Sequence, residues 1–447
     1  MINLDKYIID QNSSISDLSE KIETNHKGMV IVINKNFRVI GIITSGDIRR
    51  KVLFKKENIA LKDFVNRKYI FCNMSDSREK LLKAFDSGIE FIPILDSKKK
   101  LIDIIFKDNL DKLKISNKIY RAKSPVRISF AGGGSDVTSY FIKNKSSVIN
   151  ASISLFAYCS LIKKKENIIE IFLHDQNKCL TFRSLDHLLK KKKLNLIESV
   201  ISIIKPKFGF ELHLRTDFPI SSGLGGSSAL SSAIFSCFNE TRTDKWNRYD
   251  ISELSYQAER LVHNVSGGWQ DQYASSFGGI NFIEFTKSSN FVQPIILDQN
   301  LINELEEQLV LFKTDIKRQK KNIHKKINIQ KVHKFLKINS QLAIKIKNDL
   351  LKGKISEFGH FLNQSWENKK KTSKDISNKK IDFLYNKALS IGALGGKLLG
   401  AGNGGYFLFV INPVNKSNFI KELELFGLKN QKFNFDFKGT QSWSTIR

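Results

Sequence analysis

Three glycine-rich segments, far apart in the chain, have the residue types that could hold a phosphorylated ligand. They lie at Pro125–Asp136, Pro219–Ala229 and Gly395–Phe407. Because glycine has no side chain, the backbone there can approach a ligand closely and can adopt positive φ angles. Apolar, strand-like stretches flank all three segments, so we expect loops that surround a ligand, with phosphate as the group that fits them best. This pattern indicates an enzyme.

The middle segment leads directly into a predicted helix. Apolar residues recur with helical spacing from Ala229 to Phe238. A helix N-terminus has free backbone N–H groups and the positive end of the dipole, so it favours a bound polyanion. Ser227 and Ser228 could be ordinary N-cap residues, or could reach a phosphate or its metal ion. We predict a phosphate loop that consists of Gly223, Leu224, Gly225, Gly226, Ser227, Ser228 and Ala229.

Better-known nucleotide-binding motifs do not fit this sequence. A Walker A loop needs Lys-Ser or Lys-Thr after its last glycine, which the middle segment lacks. The His-Arg-Asp and Asp-Phe-Gly motifs of protein kinases are absent from the sequence. The third segment matches Gly-x-Gly-x-x-Gly, but it continues into Tyr406–Ile411, which predicts a strand. A dinucleotide-binding fingerprint needs a helix at that point, so the sequence argues against a Rossmann site.

The order of the three segments resembles the GHMP superfamily of small-molecule kinases. Within it, the stretches Arg121–Ile128, Gly267–Ala274 and Trp366–Lys370 are similar to the D-glycero-D-manno-heptose 7-phosphate kinase branch. This resemblance extends from about residue 119 to the C-terminus and implies an α+β, two-lobed fold that uses ATP and Mg²⁺. It implies a ribosomal-S5-like, ATP-binding lobe over 118–305 and a ferredoxin-like lobe over 306–447.

The resemblance also implies catalytic roles. Asp271 matches the aspartate that orients or deprotonates the attacking hydroxyl, and Glu259 matches the metal-binding glutamate, with Ser228 as the hydroxyl ligand. One carboxylate and one hydroxyl suffice for Mg²⁺, which prefers oxygen ligands and keeps several waters. Arg127 matches a position that faces the site and steadies the attacking oxygen. The alternatives are a helix cap for Asp271, a surface position for Glu259 and a structural ion pair for Arg127.

A sugar phosphate requires groups that bind hydroxyls and a cation that binds phosphate. By resemblance Asp136 binds sugar hydroxyls, although an Asx turn is the alternative. Arg121 is one candidate for the cation, and each basic candidate has solvated surface as its alternative. Asp315 and Asn403 replace glycines that the branch leads us to expect. The remaining predicted substrate-binding residues are Gly133, Gly134, Ser135, Arg318, Lys369, Lys397, Gly400, Gly402 and Gly404.

The N-terminal region, residues 1–117, contains a weak internal repeat. Met29–Asp47 aligns with Phe91–Asn109, and each copy predicts two strands joined by a polar turn. A predicted helical stretch precedes each copy, at Ile15–Thr24 and Ser77–Ser87. Strands and helices in this order resemble a tandem pair of α/β CBS modules.

In the CBS family, a threonine and an aspartate hold the ribose of an adenine nucleotide. Thr44 and Asp47 match them in the first copy, whereas Phe106 and Asn109 occupy these positions in the second. The region could therefore bind an adenine nucleotide or a sugar nucleotide in a regulatory role. Alternatively, it serves only as a dimerisation and packing scaffold.

Composition limits the other functions. The formal charge of +29 comes from lysine tracts spread along the chain, so we do not expect nucleic-acid binding. The four cysteines have no CxxC spacing, which argues against a zinc site or a disulfide framework. The start lacks leader features and no apolar run reaches about 18 residues. We expect a cytoplasmic protein without membrane contact that forms a homo-oligomer.

The sequence therefore predicts an ATP- and Mg²⁺-dependent sugar kinase. The resemblance implies transfer to the anomeric hydroxyl of D-glycero-D-manno-heptose 7-phosphate, which gives the 1,7-bisphosphate on the way to an activated heptose for surface polysaccharide. One alternative is a kinase for an unphosphorylated sugar such as fucose or galactose. Another is an inactive nucleotide-sensing protein, which the joint presence of the catalytic and metal-binding candidates disfavours.

Overall fold

The computed structural model of the chain describes residues 3–53, 60–73, 76–108, 118–219, 222–316 and 329–446. It divides into two compact units, Met1–Ser116 and Asn117–Arg447. Arg318, a predicted substrate-binding residue, lies outside the described residues, as does Asn109 of the second CBS-like copy.

The described part of the first unit consists of two small sheets with helices beside them. In each sheet the first two strands pair in parallel and the last two pair antiparallel. A register shift falls at the same place in both copies, between Val32 and Ile33 and between Ile94 and Leu95. The common topology confirms the predicted repeat. The elements are β1 Ile8–Asp10, α1 Ile15–Thr24, β2 Met29–Ile33, β3 Val39–Thr44, α2 Ser45–Leu53, α3 Leu61–Phe64, β4 Cys72–Asn73, α4 Arg78–Asp86, β5 Phe91–Leu95 and β6 Leu101–Phe106.

The described part of the second unit has mixed sheets covered by helices, which confirms the predicted α+β class. Its first elements are β7 Lys118–Ala131, α5 Thr138–Phe141, β8 Ser146–Lys163, β9 Ile169–Leu173, β10 Lys178–Phe182, α6 Leu185–Leu189, α7 Leu196–Ile204, β11 Phe210–Thr216, α8 Gly226–Asn239, α9 Arg248–Tyr256, α10 Gln270–Phe277, β12 Ile280–Phe285 and β13 Asn290–Pro294. The later elements are α11 Gln299–Gln308, β14 Leu309–Lys313, α12 Ile329–Leu351, α13 Phe358–Lys370, α14 Lys379–Ser390, β15 Ala393–Leu398, β16 Tyr406–Ile411, α15 Lys416–Leu425, β17 Lys429–Gln431 and β18 Gln441–Ile446.

The long strand β8 organises the large sheet. One of its edges pairs with β7, and its other edge is shared by β12 near its start and β11 near its end. The strand order is β10-β9-β11-β8-β12-β13, and β18 pairs with β7. Thirteen of the 18 residues of β8 are buried, including all of Ser146–Ile153, so this part of the strand is covered on both faces. Apolar residues of α8, among them Ala233 and Phe235, pack into this core.

The small sheet has the order β15-β16-β14-β17 and is antiparallel throughout. The third glycine-rich segment connects β15 to β16, so it lies at one end of this sheet. Behind the sheet, Trp366 of α13 and Tyr385 of α14 are fully buried next to Phe409 of β16. Among the described helices of the chain, none combines the length and apolar character needed to cross a bilayer.

Candidate active site

The middle glycine segment forms a turn that leads into the first residue of α8. Gly223 and Gly225 have φ angles of +85° and +79°, a left-handed conformation that favours glycine. A Cβ on Gly226 would lie 2.4 Å from the ring of Phe218, so close packing requires glycine at that position as well. The turn therefore presents the N–H groups of the first helical turn, which have no partner within a helix. This is a suitable cradle for phosphate.

An ion pair between a buried arginine and a half-buried aspartate joins this turn to β7 and α10. Arg127 lies on β7 with 4% of its surface exposed. Its Nε and Nη2 atoms donate hydrogen bonds of 2.9 and 2.6 Å to Oδ1 of Asp271. Its Nη1 atom donates a hydrogen bond of 2.9 Å to the carbonyl oxygen of Gly223. The backbone N–H of Arg127 donates to the carbonyl oxygen of Leu224. Because a buried guanidinium needs partners, these contacts hold strand, turn and helix together.

Asp271 lies in the first turn of α10, close to the backbone of the turn. A Cβ on Gly225 would lie 3.4 Å from Oδ2 of Asp271, so the chain passes directly beside that oxygen. Both hydrogen bonds from Arg127 go to Oδ1. One carboxylate oxygen is thus held by a cation while the other borders the predicted phosphate site.

Asp136 connects the first glycine segment to the same helix. Its Oδ1 accepts a 2.9 Å hydrogen bond from the N–H of Gly134, and its Oδ2 accepts one of 3.2 Å from the N–H of Gln270. A Cβ on Gly268 would lie 1.9 Å from Oδ2, so only glycine fits there. Burial raises the pKa of Asp136, and the negative charge of Asp271 raises it further.

Glu259 lies in a π-helical stretch, Gln257–Val262, which continues α9. Its side chain is almost completely buried. Its Oε2 accepts a hydrogen bond of 2.8 Å from the hydroxyl of Ser227, and its Oε1 accepts one of 3.0 Å from Nε2 of Gln272. Nη1 of Arg260 lies 3.3 Å from Oε2. A buried carboxylate next to a hydroxyl provides the oxygen ligands that Mg²⁺ prefers.

The structure does not bring Ser228 to Glu259, although the sequence analysis assigned the hydroxyl ligand to that serine. The hydroxyl of Ser228 is buried, and it has no hydrogen-bond partner within the described part of the chain. Successive side chains of an α-helix point about 100° apart, so adjacent serines cannot both face one carboxylate. Here Ser227 faces Glu259.

A cavity of about 490 Å³ lies next to these groups. It is lined by the first glycine segment, the loop after the π-helical stretch, and parts of α12 and α13. Tyr256 lines it and stacks on Trp269, with ring centroids 3.5 Å apart. Asn339 of α12 also lines it, and its buried Oδ1 has no hydrogen-bond partner among the described residues. The cavity therefore offers both a stacking wall and unsatisfied polar groups, as expected for a sugar site.

Lys397 of β15 is buried near other cations. Its Nζ atom donates hydrogen bonds of 2.9 Å to the carbonyl oxygen of Phe130 and 3.1 Å to the hydroxyl of Ser365. Burial lowers the pKa of Lys397 well below its ordinary value, and the positive charges of Lys369 and Arg127 lower it further. Lys397, Lys369 and Arg127 are thus close enough for their positive charges to interact.

The third glycine segment lies next to the cavity. Gly400, Gly402 and Gly404 all have positive φ angles, and so does Asn403, at +57°. Asparagine adopts positive φ angles more readily than most residues. The loop can therefore keep its conformation with Asn403 in place of the expected glycine. Lys369, which lines the cavity, donates a hydrogen bond to the carbonyl oxygen of Gly400.

Some predicted residues have other contacts. Arg121 on β7 donates a 3.2 Å hydrogen bond to the hydroxyl of Ser160 on β8. The hydroxyl of Ser135 donates to the backbone carbonyl of Gly132, so it stabilises the turn itself. Asp315 pairs with a surface lysine of β17 at 3.1 Å. Gly133, in contrast, lines the cavity as expected of a substrate-binding position.

In the first unit, Thr44 and Asp47 contact each other. The hydroxyl of Thr44 donates to Oδ2 of Asp47 at 2.7 Å, and the N–H of Asp47 donates to the Thr44 hydroxyl. Arg50 also pairs with Asp47, at 2.7 Å. These bonds stabilise the start of α2.

The sequence analysis missed most of the residues that line the cavity, among them Tyr256, Arg260 and Asn339. A signal for Arg260 existed in the glycine pair Gly267 and Gly268. Neither glycine has a positive φ, so neither is needed for a turn, and each instead makes room for a neighbouring side chain. Asn339 lies within a long amphipathic helix, where nothing in the sequence distinguishes it.

Comparison with protein families gives three matches. Residues 195–279 match the model of the GHMP kinases N terminal domain, and residues 346–427 match that of the GHMP kinases C terminal domain. Residues 4–53 match the CBS domain. The first of these regions includes the cavity-lining loop that follows the π-helical stretch.

Three known proteins are similar to this chain. The D-glycero-alpha-D-manno-heptose 7-phosphate kinase of Campylobacter jejuni is 36% identical over 73% of this chain and 99% of its own. The crystal structure of a D-glycero-D-manno-heptose 1-phosphate kinase from Bacteroides thetaiotaomicron has a TM-score of 0.60 and 30% identity, over 72% of this chain and 98% of its own. The L-fucokinase/L-fucose-1-P guanylyltransferase of Bacteroides fragilis is 26% identical over 66% of this chain and 35% of its own.

The lowered pKa of Lys397 predicts a specific dependence of stability on pH. The unfolded chain binds more protons than the folded protein between the lowered pKa and the ordinary value of 10.5. The free energy of unfolding of wild type should therefore rise with pH across this window relative to that of Lys397→Met. At pH values below the pKa of Lys397 in the folded protein, and above pH 10.5, the difference in free energy of unfolding between wild type and Lys397→Met should not change with pH.

Urea denaturation followed by tryptophan fluorescence measures this difference, because all four tryptophans lie in the second unit. Lys354→Met, at an exposed position, controls for the loss of one lysine. A difference in free energy of unfolding between wild type and Lys397→Met that stays the same at every pH would contradict the prediction.

Proposed function

The chain belongs to the GHMP kinase family, and we propose that it transfers a phosphoryl group from ATP to the anomeric hydroxyl of D-glycero-D-manno-heptose 7-phosphate. Family membership makes it a phosphotransferase with an alcohol acceptor, and its 36% identical relative makes it a sugar kinase of the heptose phosphate kinase branch. The proposed product is the 1,7-bisphosphate, an intermediate toward an activated heptose for surface polysaccharide.

One observation carries the proposal. Oδ1 of Asp271 is held by Arg127 while Oδ2 borders the glycine turn, and both lie in the unit that contains the cation-lined cavity. A carboxylate in this position can receive a proton from a hydroxyl group. The turn at the start of α8 can receive the phosphates that the hydroxyl attacks.

The residues present fit a magnesium–nucleotide complex. The buried carboxylate of Glu259 and the hydroxyl of Ser227 supply the oxygen ligands, and the N–H groups at the start of α8 face the phosphates. When bound, Mg²⁺ neutralises charge that develops on the phosphate oxygens. We assign the hydroxyl ligand to Ser227 because Ser228 has no contact with Glu259.

The protein's own groups then account for the transfer. Asp271 accepts the proton of the anomeric hydroxyl at Oδ2, while Arg127 keeps the carboxylate in position through Oδ1. The sugar oxygen forms a bond to the γ-phosphorus as the bond to the β,γ-bridging oxygen breaks, and ADP leaves. Asp136 contributes by fixing both Gly134 at the cavity and the first turn of α10. Positioning and charge stabilisation provide most of the catalysis in reactions of this type.

Other features stay predictions of the sequence. They are the nucleotide site at Thr44 and Asp47, the homo-oligomeric state and the cytoplasmic location.

A substrate panel tests the proposed function. The purified full chain is incubated with Mg·ATP and with the heptose 7-phosphate, free heptose, fucose or galactose, and ADP release is measured. We expect the highest kcat/KM with the heptose 7-phosphate, because the cationic side chains of Arg260 and Lys369 line the cavity and attract a phosphate more strongly than a neutral sugar. A preference for free fucose or galactose would overturn the proposed substrate while keeping the kinase activity.

Asp271→Asn tests the base. Asparagine has nearly the same shape and still accepts a hydrogen bond from Arg127, but it cannot take the proton. We expect kcat to fall about 10²- to 10⁴-fold, with ATP binding, measured by calorimetry, nearly unchanged. Unchanged turnover would exclude Asp271 as the base.

Ser227→Ala and Ser228→Ala distinguish the two serines. We expect Ser227→Ala to raise the Mg²⁺ concentration for half-maximal activity roughly 10- to 100-fold, since it removes the hydroxyl beside Glu259. Ser228→Ala removes a buried, unpaired hydroxyl and should change this concentration by less than about threefold. The opposite ranking would return the ligand role to Ser228.

A further inference from the structure

The cavity is lined by positive rather than negative side chains. Among the described residues that line it, Arg260 and Lys369 are cationic and none carries a carboxylate. The nearest part of the first glycine segment contributes only backbone, at Gly133 and Gly134. This lining favours a ligand that carries negative charge.

The guanidinium of Arg260 is held in place but is poorly satisfied. Its side chain is 11% exposed, and its buried Nε has no hydrogen-bond partner within the described part of the chain. Its Nη atoms reach backbone carbonyls of Val265 and Gly268 only at 3.5 and 3.4 Å. A stronger acceptor, such as a charged oxygen, would stabilise buried donors whose present hydrogen bonds are this long.

The ion pair with Glu259 does not by itself explain why the guanidinium of Arg260 lies at the cavity. Glu259 already accepts shorter hydrogen bonds from Ser227 and Gln272, at 2.8 and 3.0 Å, than its 3.3 Å contact with Arg260. In addition, a Cβ on Gly267 would lie 2.5 Å from Nη2 of Arg260, so the loop is shaped around the guanidinium. The chain thus reserves space for a positive group that faces the cavity.

We propose that Arg260 binds the phosphate that the sugar substrate already carries and thereby makes the enzyme select phosphorylated acceptors. This inference rests on the proposed function. A guanidinium binds phosphate through two parallel hydrogen bonds, which lysine cannot reproduce. Lys369 lines the same cavity and supplies a second positive charge. Arg121, one of several cations that the sequence suggested for this phosphate, instead donates a hydrogen bond to Ser160 on the sheet.

The test compares two acceptors that differ only in the phosphate. Wild type, Arg260→Gln, Arg260→Lys and the control Arg183→Gln are assayed with D-glycero-D-manno-heptose 7-phosphate and with the free heptose, at saturating Mg·ATP. Arg183 is exposed, so its substitution matches the loss of charge without touching the cavity. Melting curves establish that each variant is folded.

For Arg260→Gln we expect the KM for the heptose 7-phosphate to rise about 10- to 100-fold, because a hydrogen bond to a charged group is lost. The kcat with this substrate and the kcat/KM with the free heptose should stay within about threefold of wild type. Arg260→Lys keeps the charge but not the fork, and should raise the KM less. If Arg260→Gln does not fold, the proposal is tested with Arg260→Lys alone. A KM of Arg260→Lys for the heptose 7-phosphate equal to that of wild type would then overturn the proposal.

Other outcomes separate the possible failures. Equal losses of kcat/KM with both acceptors, or a changed Mg²⁺ dependence, would mean that Arg260 acts through Glu259, and would overturn this inference but not the proposed function. A wild-type enzyme that does not prefer the phosphorylated acceptor would overturn the proposed substrate, and the role of Arg260 with it.

Discussion

The active site depends on the ion pair between the buried Arg127 and the half-buried Asp271, whose side chains are 5% and 20% exposed. Loss of the carboxylate would leave the buried guanidinium without its charged partner, which destabilises the folded state. The side chain of Arg127 bonds to segments that are 96 and 144 residues away in the sequence. Folding therefore cannot satisfy this guanidinium without bringing β7, the glycine turn and α10 together. The same bonds that stabilise the fold thus assemble the candidate base beside the phosphate loop.

Close packing around this pair explains most of the glycines nearby. Gly226 lies against an aromatic ring, Gly268 against the carboxylate of Asp136, and Gly267 against the guanidinium of Arg260. At each of these positions a Cβ would come within about 2.5 Å of another group, which folded proteins do not tolerate. At these three positions glycine is thus required for space and not for a positive φ angle.

The sequence predicted those features that depend on local pattern. Apolar periodicity predicted the helix after the glycine turn and the strand that begins at Tyr406, and the repeat predicted two similar sheets. It did not distinguish Ser227 from Ser228, because that choice depends on the rotation of α8 about its axis. It also missed Arg260, which lies in a π-helical stretch where a period of 3.6 residues no longer describes which side chains share a face. Such details depend on tertiary packing.

The charges at the site suggest how selectivity and stability are linked. Lys369 and Arg127 are close enough to Lys397 to lower its pKa. None of the described residues that line the cavity carries a carboxylate. Like charges held together weaken the folded state, and a bound anion relieves that repulsion. Under the proposed function, a phosphorylated sugar would gain affinity both from its hydrogen bonds and from the repulsion that it relieves. A neutral sugar would leave the repulsion unchanged and would lack this second contribution.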